Sequence, residues 1–179
     1  MIINEQGRKV AVHADEPSAA YVSGSLLRLA SPAEPASEDL TPTRVVVEVQ
    51  RAFGGMMSRA LLGGEFCPSA GRETTFEVLV AIEPLGLGNP ATCASSLSKP
   101  LVPGLPDEFA QAVIVGLSDS SEQPTLPAGA LRIDRAGHDE VNSSSEAFRL
   151  AGALLRVVLT AVINGQDVET AAHGAIRAW

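Results

Sequence analysis

The stretch HDEVNSSSEAF at 138–148 places a histidine close to several serines, which is the composition of a nucleophilic site. A catalytic serine needs a positioned base, and His138 alone, with no orienting geometry visible in the sequence, is weak evidence for one. Ser143 and Ser144 instead precede a long apolar pattern, where serine side chains accept the unpaired N–H groups of a helix. We therefore predict helix caps, no catalytic residues and no enzymatic activity.

The residues that could bind a metal are few and widely separated. Cys67, Cys93, His13 and His138 do not have the spacing of a metal site. Two cysteines are also too few for a disulfide scaffold or a structural zinc site. We predict that the protein has no metal and no cofactor.

A glycine-rich stretch, EPLGLGNPATCASS at 83–96, raises a phosphate-binding alternative. It resembles the P-x-x-x-G-L-G-S-S-A loop of the galactokinase, homoserine kinase and mevalonate kinase superfamily, in which a loop that opens a helix holds phosphate through backbone N–H groups. Asn89 and Pro90 replace the two serines, and Pro90 has no N–H to donate. The sequence also lacks a G-x-x-x-x-G-K-[ST] loop. We therefore predict no nucleotide binding, and a small-molecule kinase is the least favoured alternative.

Composition restricts the partners of the chain. It has 179 residues and a formal net charge of −8, which argues against wrapping nucleic acid because phosphate binding needs clustered Lys and Arg. One small patch could still contact RNA. No segment reaches the roughly 18 consecutive apolar residues that span a bilayer, and no basic segment precedes an apolar stretch at the N-terminus. We predict a cytoplasmic, soluble protein that contacts neither membrane nor DNA; its oligomeric state is not indicated.

The chain divides at SPAEPASEDLTP, residues 31–42, which is rich in proline and acids and has linker composition. We expect residues 1–30 to form an N-terminal β extension. Residues 43–165 then form the main domain, and residues 166–179 form a C-terminal tail.

The main domain begins with strand patterns. The β-branched run RVVVEVQ predicts a strand over 44–50. TFEVLVAIEPL alternates, with Phe76, Val78, Val80 and Ile82 on one face. Paired glycines in the segment between them suggest a further strand bounded by turns. ALRIDRAGHDEV predicts a fourth strand, with a turn near Ala136-Gly137.

Two helices complete the main domain. In GLPDEFAQAVIVGL, Pro106 suits the first helical position, and Phe109, Ala112, Val113, Gly116 and Leu117 share a face.

The second helix follows the serines, and Gly152 in it would allow a neighbouring element to approach closely. Arg149, Arg156 and Thr160 are expected to carry its polar contacts. Its core stripe comprises Phe148, Ala151, Leu155, Val158, Leu159 and Val162.

This order of strands and helices predicts the fold class. Runs of strands with helices on one face form an α+β two-layer sandwich. We expect a mostly antiparallel four-stranded sheet with two helices on one face. The two phenylalanines, Phe109 and Phe148, should both point into the sheet–helix interface.

Three blocks of the sequence resemble domain IV of translation elongation factor G. LPDEFAQAVIVGL at 105–117 is similar to the family's V-P-x-E-Y-I-P-A-V-x-K-G-I helix. SAGRETTFEVLVAIEPL at 69–85 is similar to S-G-G-R-G-Q-Y-G-H-V-x-x-x-x-E-P-L. HDEVNSSSEAFRLAGALL at 138–155 is similar to H-x-V-D-S-S-E-x-A-F-x-x-A-G, with one additional residue after the histidine. The matching residues are Ser69, Gly71, Arg72, Val78, Glu83, Pro84, Leu85, Pro106, Glu108, Ala112, Val113, Gly116, Ser143, Ser144, Ala147, Phe148, Ala151 and Gly152.

The resemblance covers roughly residues 42–164 and implies both a fold and a partner. The fold is the superfold that the family shares with a domain of a small-subunit ribosomal protein, whose left-handed βαβ crossover departs from the usual right-handed rule. In the family, domain IV enters the ribosomal decoding centre, and ribosome-protecting relatives carry the same domain. A ribosome or a translation factor is therefore the implied partner. The implied tip loops place the 69–75 loop and the 136–142 turn side by side. Their candidate RNA-contacting residues are Ser69, Gly71, Arg72, His138 and Asp139.

The chain departs from the family at the first tip loop. The family's G-R-G-Q-Y-G becomes GRETTF at 71–76, so two glycines that would let the backbone approach RNA closely are lost. Glu73 would repel phosphate. A second hypothesis therefore remains open: an acidic structural or protein-interaction module of the same fold, with no RNA role.

Overall fold

The structure is a computed structural model and describes residues 1–82, 92–119 and 125–179. Within these residues it has eight β-strands and three α-helices. The strands are β1 (Ile2–Glu5), β2 (Arg8–His13), β3 (Ser23–Pro32), β4 (Thr43–Phe53), β5 (Met56–Pro68), β6 (Glu73–Ala81), β7 (Val102–Pro103) and β8 (Gly129–His138). The helices are α1 (Asp107–Ser118), α2 (Ser145–Ile163) and α3 (Val168–Arg177).

The eight strands form one sheet in the order β1-β2-β4-β5-β8-β6-β3, with β7 paired to β8. All neighbours are antiparallel except β6 and β8, which run parallel. The predicted α+β class and mostly antiparallel sheet are confirmed. The predicted numbers of four strands and two helices are wrong, because residues 2–32 supply both edges of the sheet and residues 168–177 form a third helix.

The helices cover one face of the sheet. Val45, Val47 and Val49 of β4 belong to the main core, together with residues from all three helices. Val46 lies between them in sequence and faces the other way, because successive side chains in a strand point to opposite faces. It joins a small second cluster with Leu61, Cys93, Leu101 and Ala19. The second face of the sheet is thus only partly covered.

A close contact between two glycines joins α1 to α2. A Cβ atom placed on Gly116 would lie 2.0 Å from the carbonyl oxygen of Arg149, and one on Gly152 would lie 2.8 Å from that of Val113. No side chain other than hydrogen fits between these backbones. The prediction that Gly152 permits a close approach is confirmed.

The two predicted core phenylalanines meet where these helices pack. The Phe109 and Phe148 rings stack with centroids 4.7 Å apart and an interplanar angle of 15°, and both are buried. The expectation that both rings lie in the interface is confirmed.

The expected polar side of α2 is wrong in part. Arg156 and Thr160 are buried, whereas Val162, expected in the core stripe, is 40% exposed. Arg156 is buried because its Nη1 donates to the carbonyls of Leu117 and Asp119, at 2.8 and 3.2 Å. These carbonyls lie at the C-terminal end of α1, where they lack intrahelical partners.

Other local expectations also differ from the structure. β8 runs straight through Ala136-Gly137, and the turn comes after Asp139, where the Ser143 N–H donates to the Asp139 carbonyl. Pro106 is the N-cap of α1 and not its first helical residue.

The remaining local observations concern the two glycine pairs around β5 and the end of β6. Gly54-Gly55 has positive φ at both residues and forms the β4–β5 turn, as in a type I′ hairpin. Gly63-Gly64 lies inside β5 at a register shift. Ile82 falls just beyond the end of β6 and is exposed.

We predict that Gly116→Ala lowers the free energy of unfolding by about 1–3 kcal/mol or more, because the added methyl group would meet backbone atoms that cannot rotate away. The matched control is Gly174→Ala in α3, where an added Cβ has no neighbour within 4 Å. It should leave stability unchanged or raise it by up to about 1 kcal/mol. Chemical denaturation of both variants measures this. Equal effects of the two substitutions would contradict the close helix contact.

We also predict that Phe148→Ala costs about 3–5 kcal/mol of stability, since the ring is fully buried and its removal leaves a cavity. Phe148→Leu keeps most of the volume and should cost less. A Phe148→Ala variant as stable as the native chain in thermal denaturation would show that the stacked pair does not support the core.

Candidate functional site

The first predicted tip segment connects β5 to β6. The Ser69 N–H donates to the Ala128 carbonyl at 3.0 Å, and its Oγ accepts from the Gly71 N–H at 3.4 Å. The Arg72 carbonyl accepts from the Ala33 N–H at 3.0 Å. Arg72 itself is exposed, and within the described residues its guanidinium has no ion-pair partner. Ser69, Gly71 and Arg72 thus lie in a loop that hydrogen bonds hold in place. Its one cation, Arg72, has no carboxylate partner among the described residues.

The second predicted tip segment is a closed turn. His138 Nδ1 lies 3.3 Å from the Gly104 carbonyl oxygen, and the His138 ring is tilted against Phe109 at 6.3 Å. Asp139 Oδ1 accepts from the N–H groups of Val141 and Asn142, each at 3.0 Å. Partial burial raises the pKa of Asp139, but hydrogen bonds from the Asn142 side chain and from these N–H groups outweigh it and hold the pKa below its usual value. The side chains of His138 and Asp139 are thus engaged in hydrogen bonds within the protein, and those of Asp139 stabilise the turn.

The two segments do not lie side by side, so that expectation is wrong. β6 is parallel to β8, with Thr74 opposite Gly129, so the loop before β6 lies at the start of β8. His138 is the last residue of β8. A ten-residue strand separates its ends by about 30 Å. Arg72 and His138 are therefore at opposite ends of the sheet.

Of the two serines near His138 predicted to cap a helix, Ser144 does so and Ser143 does not. Ser144 is the N-cap of α2, and its Oγ accepts from the Ala147 N–H at 3.2 Å. The Ser143 Oγ donates to the Arg59 carbonyl and accepts from the Asp139 N–H, both at 2.8 Å. This confirms the capping prediction for Ser144.

Sequence reasoning missed a buried ion pair on the second face of the sheet. Glu48 of β4 is fully buried, and Arg59 of β5 is 2% exposed. Arg59 Nη2 lies 3.4 Å from Glu48 Oε1, and Arg59 Nη1 lies 3.2 Å from Asp139 Oδ2. The alternation in VVVEVQ places Glu48 opposite the main core, where a charged residue normally indicates a solvent-exposed face, so nothing in the sequence indicated its burial.

The Glu48–Arg59 pair holds the loop of residues 94–99 against the sheet. Glu48 accepts from the Ser95 Oγ at 2.5 Å and from the Ser96 N–H at 2.8 Å. Arg59 Nη2 also donates to the Ser95 Oγ and to the Lys99 carbonyl, at 2.9 and 2.7 Å. The loop therefore covers the pair and excludes water. Two polar atoms of this region, Gln50 Oε1 and Arg59 Nε, have no hydrogen-bond partner among the described residues.

A cleft of about 480 Å³ lies between α2 and α3. Its lining includes the apolar side chains of Leu150, Ala153 and Trp179. Arg149 at its rim is already paired with Glu146, with Nε 2.8 Å from Oε2. The size suits a small molecule, but the charges around it balance and select no particular ligand.

The cations of the chain are mostly engaged within the protein. All 13 Lys and Arg residues lie in the described part of the chain. Arg8 donates to the Ile176 carbonyl at 2.8 Å, and Arg156 donates to the end of α1. Only Lys9, Arg72 and Lys99 make none of these contacts in that part. The cations in ion pairs with carboxylates are Arg28, Arg44, Arg51, Arg59, Arg132, Arg135, Arg149 and Arg177.

The remaining predictions concern metals, cysteines, nucleotides and membranes. Among residues 1–82, 92–119 and 125–179, no group of three or more His, Cys, Asp or Glu side chains is placed to hold a metal ion. Cys67 is exposed, and burial raises the pKa of Cys93 to about 11. The family-like Glu83, Pro84 and Leu85 and most of the glycine-rich loop lie outside the described residues. No described helix has the length and apolar character needed to cross a bilayer.

Comparisons of the chain with protein-family profiles, with curated proteins and with solved structures find no significant match. Function is therefore inferred from the geometry.

We predict that Arg59→Met destabilises the protein by about 3–5 kcal/mol, because Glu48 is left as a buried charge without its partner. Replacing both residues with methionine removes that unpaired charge, so the double variant should be more stable than Arg59→Met alone. Urea denaturation of the two single variants and the double variant measures the coupling. Additive losses would contradict the account of a buried, mutually compensating pair.

Proposed function

We propose that this chain is a non-enzymatic protein-interaction module, built on a domain similar to domain IV of elongation factor G, that acts in the cytoplasm without binding RNA. The observation that carries the proposal is the engagement of the cations: eight of the 13 pair with carboxylates. RNA binding uses cations that are free to neutralise phosphate.

The topology supports the likeness to domain IV. From β4 to α2 the chain runs strand, strand, strand, helix, strand, helix, apart from the two-residue β7. The parallel neighbours β6 and β8 are joined through α1, as in the βαβ crossover of that superfold. The left-handedness of the crossover is part of the proposal.

The separation of the tip residues supports an interaction module over an RNA-binding tip. Arg72 stands at the start of β8, with Glu73 beside it, and His138 and Asp139 are bonded within a turn at the other end. Lys9 lies opposite Gln50, in the half of the sheet that is distant from Arg72. A phosphate backbone would therefore meet one isolated cation at the 69–75 loop.

We predict that the purified chain does not sediment with small ribosomal subunits above background at low salt, and that Arg72→Glu behaves identically. The reason is that one exposed guanidinium releases too few counterions to hold RNA. Sedimentation across a salt series, with Lys9→Glu as a second charge-reversal control, measures this. Binding that weakens with salt and is reduced by Arg72→Glu alone would overturn the proposal in favour of a ribosome-binding domain.

The protein-binding part of the proposal has its own test. The affinity-tagged chain is purified from the cells that make it, with and without ribonuclease treatment. A protein partner that is retained in stoichiometric amount after ribonuclease treatment is the expected result. Recovery of ribosomal components that ribonuclease releases, with no retained partner, would contradict it.

A further inference from the structure

The second face of the sheet, opposite the helices, carries a row of charges whose sign alternates from strand to strand. Across β3, β6, β8, β5 and β4, the residues in register are Arg28, Glu77, Arg132, Glu65 and Arg44. Arg28 pairs with Glu77, Arg132 Nη1 lies 3.8 Å from Glu77 Oε2, and Arg44 Nη2 lies 3.4 Å from Glu65 Oε2. Opposite charges that face each other across strands stabilise a sheet and fix its register.

The row ends differently at its two sides. Beyond Arg44, the chain that follows β2 brings Asp15 within 4.0 Å of the Arg44 Nη1, so this side ends in an acid. On the other side the row ends at Arg28, whose side chain is 62% exposed. The next position in the alternation, beyond Arg28, would be an acid, and no described residue occupies it.

That position lies along the edge of the sheet that β3 forms among the described residues. β3 is ten residues long and pairs only with β6, whereas the edge strand on the opposite side, β1, has four residues. Among the described residues no strand lies outside β3. A long edge strand presents unpaired N–H and C=O groups that can bind a further strand. The register shift between Ser23 and Ser25 and the proline at position 32 restrict this to 25–31.

A second β3 strand, from another copy of this chain, does not continue the alternation beyond Arg28. Antiparallel pairing of two β3 strands about Leu27, Arg28 or Leu29 would place Leu26, Arg28 or Ala30 of the second copy opposite Arg28. β3 contains no acidic residue, so none of these arrangements continues the alternation. One of them places like charges directly opposite each other, which destabilises a strand pair.

We propose that the edge of β3 binds an extended segment of a partner protein as an added strand, with a carboxylate of that segment opposite Arg28. This rests on the proposed function as an interaction module and names the surface and the chemistry of its partner. Main-chain hydrogen bonds to residues 25–31 supply the affinity. The Arg28–carboxylate pair selects the segment and sets its register.

The test uses capped peptides of about ten residues, the length of a typical strand, with alternating Thr and Val and one central Glu or one central Lys. Fluorescence anisotropy measures binding to the full chain, and hydrogen exchange measures protection of residues 25–31. We expect the Glu peptide to bind about three- to tenfold more tightly than the Lys peptide. Arg28→Glu should reverse this preference, and Arg28→Gln should abolish it. Lys9→Glu, a charge reversal on β2, should leave it unchanged.

Three outcomes would overturn the proposal. Equal binding of the Glu and Lys peptides would remove the role of Arg28. Equal binding of a peptide that is N-methylated at alternate residues would show that strand addition is not involved. Absence of all peptide binding by the folded chain would also reject this site, while a ribonuclease-resistant protein partner would leave the proposed function standing.

Discussion

The parallel pairing of β6 with β8 is the constraint on which the rest of the molecule depends. Parallel neighbours need a crossover connection, and here α1 provides it on one face of the sheet. α2 follows β8 directly and packs against α1 so closely that Gly116 and Gly152 leave no room for a side chain. The same pairing places the loop before β6 at the start of β8. It therefore sets Arg72 and His138 far apart.

The charges of the chain are arranged for its own structure. Arg59 and Glu48 hold the 94–99 loop on the second face, and Arg156 satisfies the carbonyls at the end of α1. On the second face the cross-strand row alternates cations with acids and ends at Arg28, which pairs with Glu77 and has no further acid beyond it among the described residues. This engagement of the cations within the protein is the basis of the proposal that the chain binds a polypeptide and not RNA.

The sequence predicted the elements whose signals are local. The alternation in β6 and the serine cap of α2 act within a strand or a turn, and both are confirmed. Gly152 is also confirmed, because a glycine inside a helix pattern itself indicates a close approach. What could not be predicted depends on contacts between distant segments. Residues 2–32 pair with β4 and β6, and the 94–99 loop buries Glu48; neither pairing leaves a periodic signal. Arg156 has the pattern of a polar surface residue, and its burial depends on the position of α1.

The placement of the expected tip residues reflects the same limit. Each of the two segments is a polar turn, as its composition indicates, but their relative position follows from strand order and direction. The alternation of apolar and polar residues indicates neither the order of the strands in the sheet nor their direction. The strand and helix patterns predicted the right order of elements from β4 to α2. The expectation that the resemblance to domain IV added, which placed Arg72 beside His138, was wrong.

The central claim is that the 69–75 loop and the turn after β8 form no common surface. Double electron–electron resonance tests it directly, with spin labels on Arg72→Cys and Glu140→Cys in a Cys67→Ser background, since Cys67 is exposed and Cys93 is buried. The account predicts a single distance of about 30 Å or more, set by the length of β8. A main distance below about 20 Å, too short for ten residues of extended strand, would contradict it and restore a joint tip.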